Sequence, residues 1–212
     1  MPMAMRVEGL ALKKGYNLLI SNLDFALEPG EAISLTGDNG VGKTTLLRTL
    51  AGFAAPHAGQ IVFFANDAQL DSDTVQAENI HLLGHHDALS PSRTVAQELE
   101  FQAAYLGGDT TAAIEPLRLK PLLDLETRYL SAGQKRRLSC ARLLMAKRDL
   151  WLLDEPMAPL DADHRALLAG LMQTHLANGG MLIAAIHDAL PFETRTLRLT
   201  RPTAEQREAA LV

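Results

Sequence analysis

Residues 37–45, GDNGVGKTT, have the residue types and spacing of a loop that binds phosphate. Gly37, Gly42, Lys43 and Thr44 fit the pattern G-x-x-x-x-G-K-[ST] between an apolar segment and a helical one. Glycines let backbone N–H groups curve around phosphates, and a helix N-terminus adds positive potential. Lysine reaches the β- and γ-phosphates in such loops, and threonine ligates Mg²⁺. The segment predicts that a nucleoside triphosphate with Mg²⁺ is bound by Gly37, Asp38, Asn39, Gly40, Val41, Gly42, Lys43, Thr44 and Thr45.

An acidic pair follows the apolar segment LWLLD. The carboxyl ends of parallel strands border the crevice where ligands bind, so Asp154 is predicted to support Mg²⁺. Glu155, one residue later, is predicted to polarise an attacking water. An isolated acidic pair at a strand end is often only a solvated turn, but the phosphate loop favours the catalytic interpretation. His187 ends the later apolar segment MLIAAIH and is expected at the same edge, although such a histidine often makes only a local hydrogen bond.

Residues 130–134, LSAGQ, indicate a second helix start that can receive an anion. The first N–H groups of a helix lack partners within the helix and attract phosphate. A triphosphate in the first loop has its other face open. The hypothesis is that two copies pack head to tail, so that Ser131 and Gly133 of one copy close over the nucleotide of the other.

The elements that would position these residues alternate along the chain. The segments RVEGLAL, LISNLDFAL and EAISLTG have the period of strands, and a helix is predicted from residues 42–43 to about residue 52. Further strands are predicted at GQIVFF, HLLG, LWLLD and MLIAAI, and helices after Ser131 and over residues 162–178. This order predicts a single α/β domain, residues 1–212, with a mostly parallel sheet covered on both faces and a helical insert over about residues 88–130.

The composition of the chain limits the classes of binding partner that we expect. The 212 residues carry a formal charge of −5, which argues against nucleic acid or anionic lipid as a general partner. No apolar run approaches the roughly 18 residues of a membrane span, so membrane contact is expected only through another protein. The single cysteine, Cys140, cannot form an internal disulfide, which fits a reducing compartment.

Five motifs occur in the order used by the ATP-binding cassette ATPases: GDNGVGKTT, LSAGQ, LWLLDEP, APLD and AAIHD. The chain resembles this family from Tyr16 to His187. The resemblance implies a P-loop NTPase fold with a mostly parallel core, an N-terminal antiparallel part and a small helical subdomain. It also implies ATP and Mg²⁺ as ligands and a homodimer as the working form.

The resemblance assigns roles to matching positions. Tyr16 matches the aromatic residue that stacks on adenine. Asp154 matches the aspartate that holds Mg²⁺ through water, and Glu155 matches the catalytic glutamate. Lys43 and His187, the match to the switch histidine, would stabilise the γ-phosphate. The positions that match the signature sequence and the aspartate at the dimer interface are Ser131, Gly133, Gln134 and Asp161.

Two positions depart from the family pattern. Ala132 replaces the more usual glycine of the signature. His86, in LLGHHDALS, stands where the family has a glutamine that contacts Mg²⁺ and the membrane partner. A neutral imidazole can accept a hydrogen bond from a metal-bound water, but Mg²⁺ prefers oxygen ligands, so His86 is an uncertain metal contact that affects coupling or its pH dependence.

Two further patterns have competing interpretations. The spacing of His81, His85 and His86 is compatible with a transition-metal site, but a histidine that fills the glutamine position at a strand end is favoured. The basic segment KRRLSCARLLMAKR is predicted to be a helix with a solvated cationic face rather than a nucleic-acid surface, and its leucines and Met145 are predicted to be core.

Within the family, LLGHHDALS, YLSAGQKRRLSCARLLM, LWLLDEPMAPLD and NGGMLIAAIHDAL resemble the ATP-binding subunit of the haem exporter in bacterial cytochrome c maturation. That resemblance implies an ATPase that drives haem export or release, peripheral on the cytoplasmic face of the inner membrane and bound to an integral-membrane permease. The alternatives are an ABC transporter with another cargo, a soluble nucleotide-dependent switch, and an interaction module with little turnover.

Overall fold

The computed structural model describes residues 3–209, so residues 1–2 and 210–212 of the predicted domain lie outside the described residues. The strands are β1 (Met3–Lys14), β2 (Asn17–Leu27), β3 (Ala32–Thr36), β4 (Ala58–Ala65), β5 (Ala68–Gln69), β6 (Ile80–Leu83), β7 (Leu150–Asp154), β8 (Met181–Ala185) and β9 (Arg195–Arg198). The helices are α1 (Lys43–Leu50), α2 (Ser72–Glu78), α3 (Val95–Leu106), α4 (Thr111–Ile114), α5 (Ala132–Cys140), α6 (Arg142–Met145), α7 (Ala162–Ala177) and α8 (Ala204–Ala209).

The N-terminal part forms an antiparallel sheet in the order β2-β1-β4-β5. The alternation in β1 is visible in its burial, because Met3, Met5 and Val7 are buried whereas Arg6 and Glu8 are exposed. One face of this sheet therefore packs on a core shared with α1 and β3, as a period of two residues requires.

The second sheet is parallel throughout, in the order β6-β7-β8-β3-β9. Every residue of β7 and β8 is buried, as expected for strands covered on both faces. Because β7, β8 and β3 are neighbours, the segments that follow them meet at one edge of the sheet. That edge holds the phosphate loop, the acidic pair and His187.

The segment predicted as a helical insert is less regular than its sequence indicated. It contains α3, α4 and 3₁₀ turns at Lys120–Leu122 and Thr127–Tyr129. Its apolar residues pack into one core with β7 and α7, through side chains such as Leu99, Leu117 and Leu122. The insert therefore rests directly on the sheet that carries the acidic pair.

The basic segment after Ser131 corrects a prediction. It forms two helices, α5 and α6, and the apolar Leu138, Leu143 and Met145 are core as predicted. The expected solvated cationic face is wrong at its first positions, because Arg136 and Arg137 have relative exposures of only 2% and 9%. Both guanidinium groups donate to backbone carbonyls inside the protein.

In the part of the chain that the structure describes, no helix is both long enough and apolar enough to cross a membrane.

Candidate nucleotide site

The phosphate loop joins β3 to α1 with a backbone that depends on glycine. Gly37 has φ +136°, and a Cβ there would lie 2.6 Å from the carbonyl oxygen of Leu199. Gly42, the N-cap of α1, has φ +117° and carries no capping side chain. The first N–H groups of α1 therefore stay free of side-chain acceptors from the cap, which is the arrangement that binds phosphate.

Lys43 extends back into the loop. Its Nζ donates to the carbonyl oxygens of Gly37 at 2.7 Å and Asp38 at 3.3 Å, and the residue is 8% exposed. Both acceptors are neutral carbonyl groups, so these contacts do not offset the positive charge that would attract a phosphate. The residue is held where a phosphate would enter the loop.

Thr44 and Asp154 connect the phosphate loop to the acidic pair. The Thr44 hydroxyl donates to Oδ2 of Asp154 at 2.7 Å, and Asp154 ends β7 with only 4% exposure. A hydroxyl and a carboxylate, both oxygen donors, are the type of ligand that Mg²⁺ takes beside phosphates. The two residues predicted as the Mg²⁺ site are thus in direct contact.

Glu155 is bracketed by two histidines. Its Oε1 lies 3.0 Å from Nε2 of His187, and its Oε2 lies 3.6 Å from Nδ1 of His85. The backbone of Glu155 has φ +48°, a left-handed conformation that is uncommon outside glycine. A cavity of about 550 Å³ between α7 and the residues after β8 has Glu155 and His187 on its wall. The carboxylate is therefore oriented and faces open space.

The signature segment begins α5 with a capping box. The N–H of Gln134 donates to Oγ of Ser131 at 3.2 Å, and the N–H of Ser131 donates to Oε1 of Gln134 at 2.8 Å. Ser131 and Ala132 are exposed. A Cβ on Gly133 would lie 3.1 Å from the carbonyl oxygen of Pro159, so the helix start packs on the APLD segment.

Asp161, the last residue of that segment, caps α7. The backbone N–H of His164 donates to its Oδ1 at 2.9 Å, and Nδ1 of the His164 ring lies 2.7 Å from the same oxygen. These contacts, the backbone one first, lower the pKa of the Asp161 carboxyl from its usual value. The residue is therefore a carboxylate on the surface that also carries the signature segment.

Tyr16 lies in the turn between β1 and β2 and is 92% exposed. With Gly40 and Val41 of the phosphate loop it lines a cavity of about 470 Å³. Arg201 and Arg207 line the same cavity, and sequence reasoning missed both because nothing around them marks a motif. An exposed aromatic ring beside the phosphate loop is suited to stacking on a base.

The histidines after β6 do not form a metal cluster. His86 is exposed and its ring makes an edge contact with His85, at 5.3 Å between centroids. His81 is buried in β6, and its Nε2 hydrogen-bonds to the carbonyl oxygen of Ala146 at 2.8 Å. Across residues 3–209, no group of three or more histidine, cysteine, aspartate or glutamate side chains is arranged to hold a metal ion. Of these three histidines, His85 is the one that lies close to Glu155, a contact that the sequence did not predict.

Comparisons with known proteins are consistent with this geometry. A family model described as ABC transporter matches residues 20–158. A cytochrome c biogenesis ATP-binding export protein CcmA from Rhodopseudomonas palustris strain HaA2 is 46% identical over 92% of this chain and 98% of its own length. The protein of the same name from Bradyrhizobium diazoefficiens is 45% identical over 88% of this chain and 92% of its own length. This chain belongs to the ABC transporter family.

Solved structures show the same cassette fold. An ABC transporter ATP-binding protein from Pyrococcus furiosus superposes with a TM-score of 0.78 at 22% identity, covering 92% of this chain and 97% of the other. The dimeric structure of MJ0796, a bacterial ABC transporter cassette, gives 0.77 at 20% identity, covering 92% and 94%. The predicted fold class is confirmed, and so is the resemblance to the cytochrome c maturation proteins. The chain is an ATPase subunit of the ABC type.

Proposed function

We propose that this cassette hydrolyses Mg²⁺-ATP as a homodimer and powers an exporter in cytochrome c biogenesis. One observation carries the catalytic part. The hydrogen bond from Thr44 to Asp154 joins the phosphate loop to the loop that carries Glu155, so binding and hydrolysis groups form one site.

Binding relies on the loop and the start of α1. The free N–H groups at the helix start and the Lys43 ammonium hold the β- and γ-phosphates, while Tyr16 stacks on the adenine. Thr44 and Asp154 would hold Mg²⁺, Asp154 through water, and the ion would neutralise charge on the phosphate oxygens.

Hydrolysis relies on Glu155. Its carboxylate accepts a proton from the attacking water, whose oxygen forms the new bond to the γ-phosphorus as the bond to the β-phosphate oxygen breaks. His187, 3.0 Å from Oε1, orients the carboxylate and reaches toward the γ-phosphate. General-base assistance of this kind contributes about 10²–10⁴-fold to a rate.

The exposed signature segment supports the dimer. Ser131 and the N–H of Gly133 lie at the start of α5, where a second copy could present its bound ATP. Asp161, adjacent in the fold, would meet the partner copy across the same interface. Two-fold symmetry gives two equivalent shared sites.

The relatives' names support a role in export for cytochrome c biogenesis. We propose haem as the cargo, an integral-membrane permease as the partner, and a peripheral location on the cytoplasmic face of the inner membrane. His86, at the glutamine position, would then contact the permease side of the site. An ABC transporter with another cargo is the second candidate.

Replacement of Glu155 by Gln tests the catalytic role. We expect Mg²⁺-ATP to bind and the dimer to accumulate on size exclusion, with hydrolysis reduced about 10²-fold or more. The control is Glu115→Gln, at a carboxylate 73% exposed on the insert, which should hydrolyse normally. Hydrolysis near the wild-type rate in Glu155→Gln would remove Glu155 from this role.

Isolation of the membrane complex tests the cargo. Purification of the full chain from membranes should bring with it a permease, and reconstituted vesicles should show ATP-dependent loss or release of haem. A complex that hydrolyses ATP in response to a different cargo, and not to haem, would overturn the haem assignment while leaving the ATPase intact.

A further inference from the structure

Arg136, on the second turn of α5, is a buried arginine that contacts residues 154–156, here called the catalytic loop. Its Nη2 donates to the carbonyl oxygens of Asp154 at 2.7 Å and Glu155 at 3.0 Å. Its Nε donates to the carbonyl oxygen of Pro156 at 3.1 Å. One guanidinium therefore holds three consecutive peptide groups, including both residues of the acidic pair.

The same side chain holds the segment after β6. Nη1 donates to the carbonyl oxygen of Gly84 at 2.8 Å and to Oδ1 of Asp87 at 3.3 Å. Between these two lies His85, whose Nδ1 is 3.6 Å from the Glu155 carboxylate. Arg136 thus influences the position of the Glu155 carboxylate in two ways. It holds the backbone of Glu155, and it holds the residues on either side of His85.

The number of N–H donors on the Arg136 guanidinium equals the number of acceptors around it. A guanidinium has five N–H groups in a fixed planar fork, and the contacts above give each of them an acceptor. Four of the five acceptors are backbone carbonyls from two loops. Lysine, with three donors on one atom, cannot span them, and glutamine offers two.

The catalytic loop needs such support. Glu155 has φ +48°, and a non-glycine residue stays in that conformation only where its surroundings impose it. The carbonyl oxygen of Glu155 accepts from Arg136, and its backbone N–H donates to the carbonyl oxygen of Ala185 at 3.0 Å. Release of the Arg136 contacts would let the peptide groups rotate and move the carboxylate.

We propose that Arg136 is a positioning residue for ATP hydrolysis, which fixes the backbone of Asp154, Glu155 and Pro156 against residues 84–87. The inference rests on the proposed function, because it assigns Arg136 a share in placing Glu155. The same contacts join the signature helix to the backbone of the catalytic glutamate within one chain.

The next residue on α5 supplies a matched control. Arg137 is also buried, and its Nη1 donates to the carbonyl oxygens of Leu117 and Arg118 in the insert, at 2.9 and 3.1 Å. Like Arg136 it is a buried arginine that donates to backbone carbonyls, but its acceptors lie in the insert and not in residues 154–156. A purely structural role would lower stability in variants of either arginine but would leave kcat of the folded protein near that of wild type.

The experiment compares Arg136→Lys and Arg136→Gln with Arg137→Lys and Arg137→Gln in the full chain. We expect Arg136→Lys to lower kcat about 100-fold, the cost of a small misplacement of a catalytic group. Its KM for Mg²⁺-ATP should change by less than about threefold, since the phosphate loop is untouched. Arg137→Lys should lower the melting temperature but keep kcat of the folded protein within about threefold of wild type.

Two results would overturn the inference: kcat of Arg136→Lys within about threefold of wild type, or equal losses of kcat in the two lysine variants. If the glutamine variants fail to fold, the lysine pair decides, because it retains the buried charge. Failure of the proposed function is distinguishable, since in that case wild type itself would lack hydrolysis that Glu155→Gln removes.

Discussion

Lys43 and Arg136 are both cations held by backbone carbonyls, but they are placed for different tasks. The Nζ of Lys43 donates to two neutral backbone carbonyls of the phosphate loop, which leaves one of its three N–H groups for a phosphate oxygen. Arg136 has every N–H occupied and nothing left for a ligand. Lys43 is therefore placed to bind the nucleotide, whereas Arg136 is placed to position the catalytic loop.

Lys43→Gln should lose the charge that stabilises the transferring phosphoryl group. We expect kcat/KM for Mg²⁺-ATP to fall about 10²–10³-fold, in the range found when one preorganised donor is removed. Lys120→Gln, at a side chain 74% exposed, is the control and should be unaffected. A loss below tenfold for Lys43→Gln, measured by steady-state ATPase assay, would contradict the role.

His81 predicts how stability depends on pH. Burial, the largest cause, lowers the pKa of His81 to about 4 from 6.5. The unfolded chain then binds a proton below pH 6.5 that the folded chain refuses until about pH 4, so stability falls as pH drops through that window. At pH 5 the loss relative to pH 7.5 should be about 2 kcal/mol.

Urea unfolding at the two pH values checks this expectation. His81→Asn does not titrate, so its stability should vary less with pH than that of wild type. His57→Asn, at an exposed histidine, should follow wild type. An equal pH dependence in His81→Asn and wild type would contradict the prediction.

At the residue scale, the sequence was sufficient where the site is local. The phosphate loop and the acidic pair are short motifs, so the sequence showed them directly. Arg136 was assigned to a solvated face because its acceptors are carbonyls of residues 84 and 154–156, which no pattern around residue 136 reveals. The proximity of His85 to Glu155 was missed because the two residues are distant in sequence and meet only in the folded sheet.

Two helices, α3 in the insert and α5 directly after it, begin with a capping box. Thr94 and Gln97 form a capping box at α3, and Ser131 and Gln134 form one at α5. Each satisfies two backbone N–H groups that the helix itself leaves without acceptors. At α5 the cap coincides with the signature segment, so one serine has a structural and a proposed functional role.

Variants of Ser131 and Thr94 separate the capping role of Ser131 from its proposed role in ATP binding. Ser131→Ala and Thr94→Ala should each cost about 1 kcal/mol of stability through loss of the cap. Only Ser131→Ala should also reduce ATP-dependent dimer formation and hydrolysis. Equal ATPase activities in the two variants, at a temperature where both are folded, would limit Ser131 to capping.

At the element scale, regular hydrophobic patterns predicted β1, β7, β8, α1 and α7 well. β9 was missed because its sequence, RTLR, is mostly exposed at the sheet edge and lacks an apolar pattern. α2 was missed because only Val75 of its seven residues is buried. Elements that bury little surface leave a weak signal in composition.

For the whole molecule, the order β7-β8-β3 explains how residues more than a hundred positions apart form one site. Alternating strands and helices predicted a parallel sheet, but strand order is set by packing and is not written in the local pattern. What the single chain presents is half of the proposed site, with the signature segment on its surface.

Mixing two inactive variants tests the shared site. Lys43→Ala disables the phosphate loop and Ser131→Arg blocks the signature surface. In a mixed dimer, the intact loop of one chain meets the intact signature of the other, so up to about a quarter of wild-type activity should return at equimolar mixing. No recovery, with mixed dimers shown to form, would mean that the site is complete within one chain.

The Arg136 guanidinium also bears on how the chain folds. A charged fork in an apolar interior is strongly unfavourable until all of its acceptors are present. Those acceptors come from residues 84–87 and 154–156, so both segments must be in place around α5 before every N–H of the guanidinium has an acceptor. Displacement of either segment would leave a buried charge without its acceptors, so the two segments and α5 are expected to unfold cooperatively.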